Sequence, residues 1–142
     1  MTLWTKIVDS LGEYIREEND KDLRDRVLWP AQFDVFVQLF RFFESGKKDG
    51  YVKLPTGVGK TVLFIEFLRA TQLRGLIVVP TNVLTQQTVQ RIKQFAEELD
   101  VGRINAFSKE FGRQVSIVTY ASFVRHLQTG LIQPSNYECL IL

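Results

Sequence analysis

Sulfur, histidine and net charge are all scarce in this chain of 142 residues. Cysteine occurs once, as Cys139, so no disulfide can close within the chain, and a reducing compartment fits best. Histidine also occurs once, as His126, and no second His or Cys stands at a spacing that would ligate zinc. The formal net charge is only +2, too small to argue for a nucleic-acid partner by charge alone. No apolar run approaches the ~18 residues that a membrane-spanning helix needs. The opening stretch MTLWTKIVDSLGEYIREEND lacks the basic start and the small-residue cleavage site of a secretory leader. A cytoplasmic protein without a membrane segment is the expectation. Repeats and low-complexity tracts are missing as well.

What is present is ordinary for a globular domain: 45% hydrophobic and 24% charged residues. A chain near this length can bury about 68–70% of its unfolded surface. Residues 3–18 carry Trp4, Ile7, Val8, Leu11, Tyr14 and Ile15 at helical spacing. The mixed charges of residues 16–26 read as a solvated face or linker, so 1–26 is taken as an N-terminal helix and charged linker. Pro30 suits a first helical turn, and the following helix should stop at Gly46. GYVKLP then reads as a short strand, KTVLFIEFLRATQL as a buried helix and RGLIVVPT as a buried parallel strand. A long helix, NVLTQQTVQRIKQFAEEL, should be capped by Thr81 or Asn82. VGRINAF, QVSIVTY and NYECLIL read as further strands, with a short helix ASFVRHLQTG ending at Gly130. Strands alternating with helices imply an α/β fold, a parallel sheet with helices on both faces.

The segment YVKLPTGVGKT, residues 51–61, sits between an apolar strand and an apolar helix. Glycines there let the backbone wrap an anion with its amides pointing inward. The helix that follows offers free N–H groups and a positive dipole end. Lys60 would reach the β and γ phosphates of a nucleotide, and the Thr61 hydroxyl would hold Mg²⁺. The cradle would be Thr56, Gly57, Val58, Gly59, Lys60 and Thr61. Leu54 stands where the strict phosphate-loop pattern has its first glycine.

LPTGVGKT resembles motif I of superfamily 2 helicases and translocases. Three other segments match that family in order. LWPAQ, 28–32, is similar to its L-R-P-x-Q element, with Trp29 at the arginine position. VVPTNVLTQQ, 78–87, resembles motif Ia, and VTYASF, 118–123, resembles the T-Y-x-S element. The likeness extends over roughly residues 27–142 and is nearest to the type III restriction-subunit and excision-repair helicase branch. It implies a RecA-like P-loop NTPase fold, ATP and Mg²⁺ as cofactors, and Gln32 as the contact to adenine. It also implies a nucleic-acid partner, DNA before RNA, met through its phosphate backbone by Pro80, Thr81, Thr119 and Tyr120. Hydroxyls and helix N-termini suit phosphates and carry no base specificity.

The family's next signature is an acidic pair after an apolar strand. YECLIL supplies the strand, but Glu138 precedes its apolar run, and the sequence stops at Leu142. The expectation is therefore a first RecA-like domain, 27–142, incomplete at the C-terminus. The second RecA-like domain, which would complete the cleft, should lie downstream. An arginine finger from that domain would contribute about 10³–10⁵ in rate, so residues 1–142 should bind ATP with little turnover. A sheet lacking its intervening strand should also be marginally stable, with an exposed edge beside residues 51–54. Two other readings stay open on the residues: a different P-loop NTPase, such as an AAA-type remodeller or a kinase, and a non-catalytic nucleotide- or nucleic-acid-binding module. His126 is expected at a solvated surface, Cys139 as a small core residue, and the aromatics of residues 33–43 in packing.

Overall fold

The computed structural model describes residues 2–50, 52–53 and 59–142, and these divide into two compact units, Met1–Thr71 and Gln72–Leu142. The first unit is helical. Helix α1 spans Leu3–Asp20, α2 spans Pro30–Glu44 and α3 spans Lys60–Thr71, with a single 3₁₀ turn at Leu23–Asp25. The Thr2 side chain caps α1 by accepting from the Thr5 amide at 3.1 Å. Pro30 begins α2, where its missing N–H is no loss, and Gly46 follows the helix at φ +90°.

Leu11, Phe36, Ile65 and Leu68 are fully buried and form the core of this unit. Each such side chain contributes about 1.5–3 kcal/mol by leaving water. Tyr14 lies 4.8 Å from the Phe36 ring, and Phe43 stacks on Phe67 at 6.1 Å. The Trp4 indole N–H donates to the Phe43 carbonyl at 2.6 Å, which fastens the start of α1 to the end of α2. The packing expected for the aromatic helix is thus observed.

The expectation of a wholly solvated segment at 16–26 needs correction. The helix continues to Asp20, and Glu18 is only 1% exposed. Its carboxylate accepts from the amides of Val27 and Leu28 at 3.1 and 3.3 Å and pairs with Lys21 at 2.8 Å. A buried charge persists only with such partners. Glu18 therefore fixes the turn that leads into α2.

The second unit holds a four-stranded parallel sheet: β1 Gly75–Val79, β2 Val101–Ile104, β3 Val115–Thr119 and β4 Cys139–Ile141, in the order β2-β3-β1-β4. Ile77 pairs with Ile117 and with Ile141, and Ile104 pairs with Val118. Helix α4, Asn82–Phe95, joins β1 to β2, and α5, Tyr120–Thr129, lies between β3 and β4. The two crossovers run in opposite directions across the sheet. With the right-handed connection that governs parallel units, α4 covers one face and α5 the other. Leu76, Val78, Ile104, Val118 and Ile132 cluster on one side, closed by Phe111, Phe123 and Tyr137. By alternation Ile77, Val115 and Ile117 face the other side.

Boundaries shift where local chemistry intervenes. α4 stops at Phe95, four residues short of the apolar pattern, and β2 stops at Ile104 because Asn105 starts a turn. Tyr120 opens α5 instead of closing β3. Val52 and Lys53 carry no strand geometry, while Tyr51, Leu54 and Pro55 of the expected strand lie outside the described residues. β4 pairs directly with β1 and forms an edge among the described strands. Among the described residues no helix is long and apolar enough to cross a membrane.

Candidate functional site

Of the expected phosphate cradle, Thr56, Gly57 and Val58 lie outside the described residues, and Gly59, Lys60 and Thr61 lie within them. Lys60 is the first residue of α3 and is exposed. Its position leaves the ammonium free to meet an anion in front of the helix. The first N–H groups of any helix lack an intrahelical partner and concentrate its positive end, so α3 presents donors beside Lys60. Gly59 sits at φ +80°, in the left-handed region that glycine alone adopts without strain. A glycine immediately before the lysine suits that left-handed conformation at the start of α3.

Gln32 meets this loop from α2. Its amide Nε2–H donates to the Gly59 carbonyl at 3.2 Å, and its Oε1 accepts from the Trp29 backbone amide at 2.9 Å. The side chain is 2% exposed. A Cβ added at Gly59 would stand 2.5 Å from the Gln32 Nε2. One glutamine thus closes the N-terminus of α2 and braces the last glycine before Lys60. This link was not foreseen from the sequence. The L-x-P-x-Q pattern points to Gln32, but only the fold shows what it touches.

Further along α3, Glu66 is 1% exposed within an apolar run. It accepts from the Tyr14 hydroxyl at 2.6 Å and pairs with Arg69 at 3.2 Å. Burial, then the hydrogen bond to Glu66 and the charges of Glu66 and Glu18, hold the Tyr14 hydroxyl far above its ordinary range, so it stays a donor. The contact fastens α1 to the helix that begins with Lys60. A lone carboxylate inside VLFIEFL was the available sequence sign. An open polar recess of about 360 Å³ beside this contact, lined in part by Glu13, Glu17 and Lys21, lies away from Lys60 along α3.

In the sheet unit, the carboxyl ends of β1 and β3 bring the remaining expected residues together. Val79 is in register with Thr119, so Pro80–Thr81 and Thr119–Tyr120 emerge side by side. Thr81 caps α4 by accepting from the Leu84 amide, and Thr119 caps α5 by accepting from the Ser122 amide, both at 3.2 Å. Each hydroxyl keeps its own proton to donate. Thr81 is exposed, whereas Thr119 is 6% exposed, so the surface beside β3 is provided by Tyr120 at 48%.

His126 corrects another expectation. It is 4% exposed, with its ring edge-on to Phe111 at 5.4 Å, and among the described residues its Nδ1 has no hydrogen-bond partner. Burial lowers its pKa, and the charges of Lys109 and Arg125 lower it further, which favours the neutral ring. Its spacing of three residues from Phe123 on the helix could have marked it as inward-facing. Burial pushes the Cys139 thiol up to about 11, so it is not a nucleophile near neutral pH. Among the described residues no group of His, Cys, Asp and Glu is arranged to hold a metal ion by itself.

Residues 25–142 match the protein-family model described as type III restriction enzyme, res subunit. Among curated proteins, the chain is similar to an ATP-dependent RNA helicase, DBP6, of Candida glabrata. The two are 30% identical over 138 residues, 79% of this chain and 21% of that protein. It is also similar to a DNA 3'-5' translocase, XPB2, of Sulfurisphaera tokodaii, 33% identical over 76 residues, 54% of this chain and 17% of that protein. The chain therefore spans about a fifth of the length of these curated relatives. Among solved structures, a hypothetical ATP-dependent RNA helicase from Sulfolobus tokodaii superposes with a TM-score of 0.63 at 19% identity, over 93% of this chain and 40% of that one. At that identity the likeness is one of fold.

Proposed function

Since the chain belongs to the type III restriction enzyme res-subunit family, with the RecA-like α/β fold of superfamily 2 helicase-type ATPases, we propose that it is the ATP-binding part of an enzyme that couples ATP hydrolysis to movement along nucleic acid. The observation that carries this is the pairing of Gly59 at φ +80° with an exposed Lys60 at the start of α3. That geometry suits a triphosphate. Backbone amides of Gly59–Thr61 face the anion, and Lys60 neutralises the charge on the β and γ phosphates. The residues present fit Mg²⁺ in the way P-loops use it: the Thr61 hydroxyl would hold the ion, which supplies charge neutralisation to the phosphates. Gln32 would contact adenine through the second N–H of its amide or the second lone pair of its Oε1.

Nucleic acid would run along the carboxyl edge of the sheet, where Thr81, Pro80, Thr119 and Tyr120 stand at the ends of two adjacent strands. Helix starts and hydroxyls there are suited to phosphates and indifferent to base identity. The relatives named above include an RNA helicase and a DNA translocase. DNA is the partner favoured here, on the likeness of the motifs to the restriction-subunit branch. For residues 1–142 themselves the reading is nucleotide binding with little turnover, since the sequence contains no adjacent Asp-Glu pair.

The test is calorimetric titration of Mg-ATP into the chain and into Lys60→Ala. A charge-assisted contact is worth about 1.5–3 kcal/mol, so affinity should fall roughly 10- to 100-fold while the circular dichroism spectrum is unchanged. Equal affinities for the two proteins would refute the assignment.

A further inference from the structure

Phe107 is the most exposed large hydrophobic residue among those described, at 85%. Burying a phenylalanine side chain is worth about 1.5–3 kcal/mol, so one held in water on a fixed turn forgoes a substantial gain. The turn is fixed. Asn105 is 6% exposed, and its Oδ1 accepts from the amides of both Phe107 and Ser108 at 2.8 Å. The Asn105 backbone amide donates to the Ser108 carbonyl at 2.8 Å, and its Nδ2 donates to the Thr85 hydroxyl on α4 at 3.4 Å. Residues 104 and 109 bridge beneath it. The ring is thus presented outward by a buried polar brace, not left on a loose loop.

Its neighbours along the sheet edge give it a context. The turn leaves the carboxyl end of β2, next to the end of β3 with Tyr120 and then the end of β1 with Thr81, since the strand order is β2-β3-β1. Adjacent strands lie about 4.8 Å apart, which sets the spacing of this row. Val83, at 61% exposure in the first turn of α4, continues it. The charge distribution points the same way. Residues 72–142 contain five carboxylates. Glu97, Glu98 and Asp100 precede β2, Glu138 precedes β4, and Glu110 lies 3.7 Å from Arg103. None occurs in 79–92, 104–109 or 119–131, where Arg91, Lys109 and Arg125 are found. The turn that carries Phe107 and the helix starts beside it are free of acidic side chains, and the cation nearest the ring in sequence is Lys109. An apolar protein partner would not select for that segregation; a polyanion with flat faces would.

We infer that Phe107 is a base-stacking residue for single-stranded nucleic acid, set at the end of the phosphate-binding row formed by Thr81, Thr119 and Tyr120. This rests on the nucleic-acid reading above and adds to it a contact to the bases, made by a residue outside the motifs that carry the family likeness. Stacking is tolerant of sequence, because every base has a π face. It is also non-ionic, so it leaves the salt dependence of binding to the cationic contacts.

The experiment measures affinity of the whole chain and of Phe107→Ala for three probes at several salt concentrations. The probes are twenty-residue oligothymidylate or oligouridylate, a blunt duplex of equal length, and an abasic strand of equal charge. The expected result is a loss of roughly 5- to 100-fold on either base-bearing single strand, an unchanged salt slope, and no loss on the abasic strand or the duplex. Phe107→Trp should restore affinity. Its added fluorescence, beyond that of Trp4 and Trp29, should be quenched by oligothymidylate. Equal affinity of parent and Phe107→Ala for the single strands would overturn the stacking role and leave the phosphate row standing. An equal loss on the abasic strand would also overturn it. Absence of binding by the parent chain to any probe would overturn both. Self-association of the parent that disappears in Phe107→Ala, with strand affinity unchanged, would assign the ring to a protein contact instead.

Discussion

Replacing Gly59 by alanine probes the brace between α2 and the residue that precedes Lys60. Two costs add. Alanine at φ +80° carries a left-handed penalty of about 1–2 kcal/mol. The new Cβ would also stand 2.5 Å from the Gln32 Nε2, so that side chain must withdraw. Gln32 is 2% exposed and bonded at both ends, which leaves it little room to do so. Losing its bond to the Gly59 carbonyl costs about 0.5–1.5 kcal/mol. Alanine restricts the unfolded chain and returns about 0.4–1 kcal/mol. The net loss should be about 1–2.5 kcal/mol of the stability of the helical unit. Trp4 and Trp29 both lie in that unit, so urea unfolding followed by tryptophan fluorescence reports on it. The same substitution made in Gln32→Ala should cost less, because the crowded amide is already gone. A coupling of about 0.5–1.5 kcal/mol is the expected signature. An identical cost of Gly59→Ala in both backgrounds, or no cost at all, would refute the brace.

Two other outcomes follow from buried polar groups. Tyr14→Phe removes a donor to the buried Glu66 and should lower the unfolding free energy by about 1–3 kcal/mol, measured in the same urea experiment; a change below about 0.3 kcal/mol would contradict the contact. His126 is held neutral by burial and by Lys109 and Arg125, so its pKa in the fold lies below the ordinary 6.5. The unfolded chain then takes up a proton near pH 6.5 that the folded chain refuses. Its stabilising effect is fully present above that pH and is lost as pH falls toward the lowered value. His126→Gln should flatten this part of the stability curve, and an unaltered slope between pH 7 and pH 5 would show that the ring is not the source.

Much of the architecture was legible because its causes are local. Apolar runs such as LIVV and SIVT made β1 and β3 readable, and Thr81, Pro30, Gly46 and Gly130 marked helix boundaries by their own capping chemistry. What escaped were interactions between residues far apart in the chain. Glu18 looked solvated because its neighbours are charged, but its partners are the amides of Val27 and Leu28. His126 looked polar because Arg125 and Gln128 flank it, whereas the helix turns it inward onto Phe111. The Gln32–Gly59 bond spans 27 residues and the Tyr14–Glu66 bond spans 52, and no periodicity encodes either. The site followed the same division. The spacing of Gly59, Lys60 and Thr61 pointed to the candidate loop. The side-by-side exit of Thr81 and Thr119 needed the register of β1 with β3, and the exposure of Phe107 needed the turn built by Asn105.

The account stands on the start of α3 being a grip for a triphosphate. The most direct measurement is an amide ¹H–¹⁵N spectrum of the folded chain recorded through a titration with Mg-ATP. The Gly59, Lys60 and Thr61 resonances should shift in a saturable way, and Lys60→Ala should move saturation to roughly 10- to 100-fold higher Mg-ATP while its ligand-free spectrum otherwise overlays that of the parent. Resonances at Gly59–Thr61 that stay in place at saturating Mg-ATP would contradict the account.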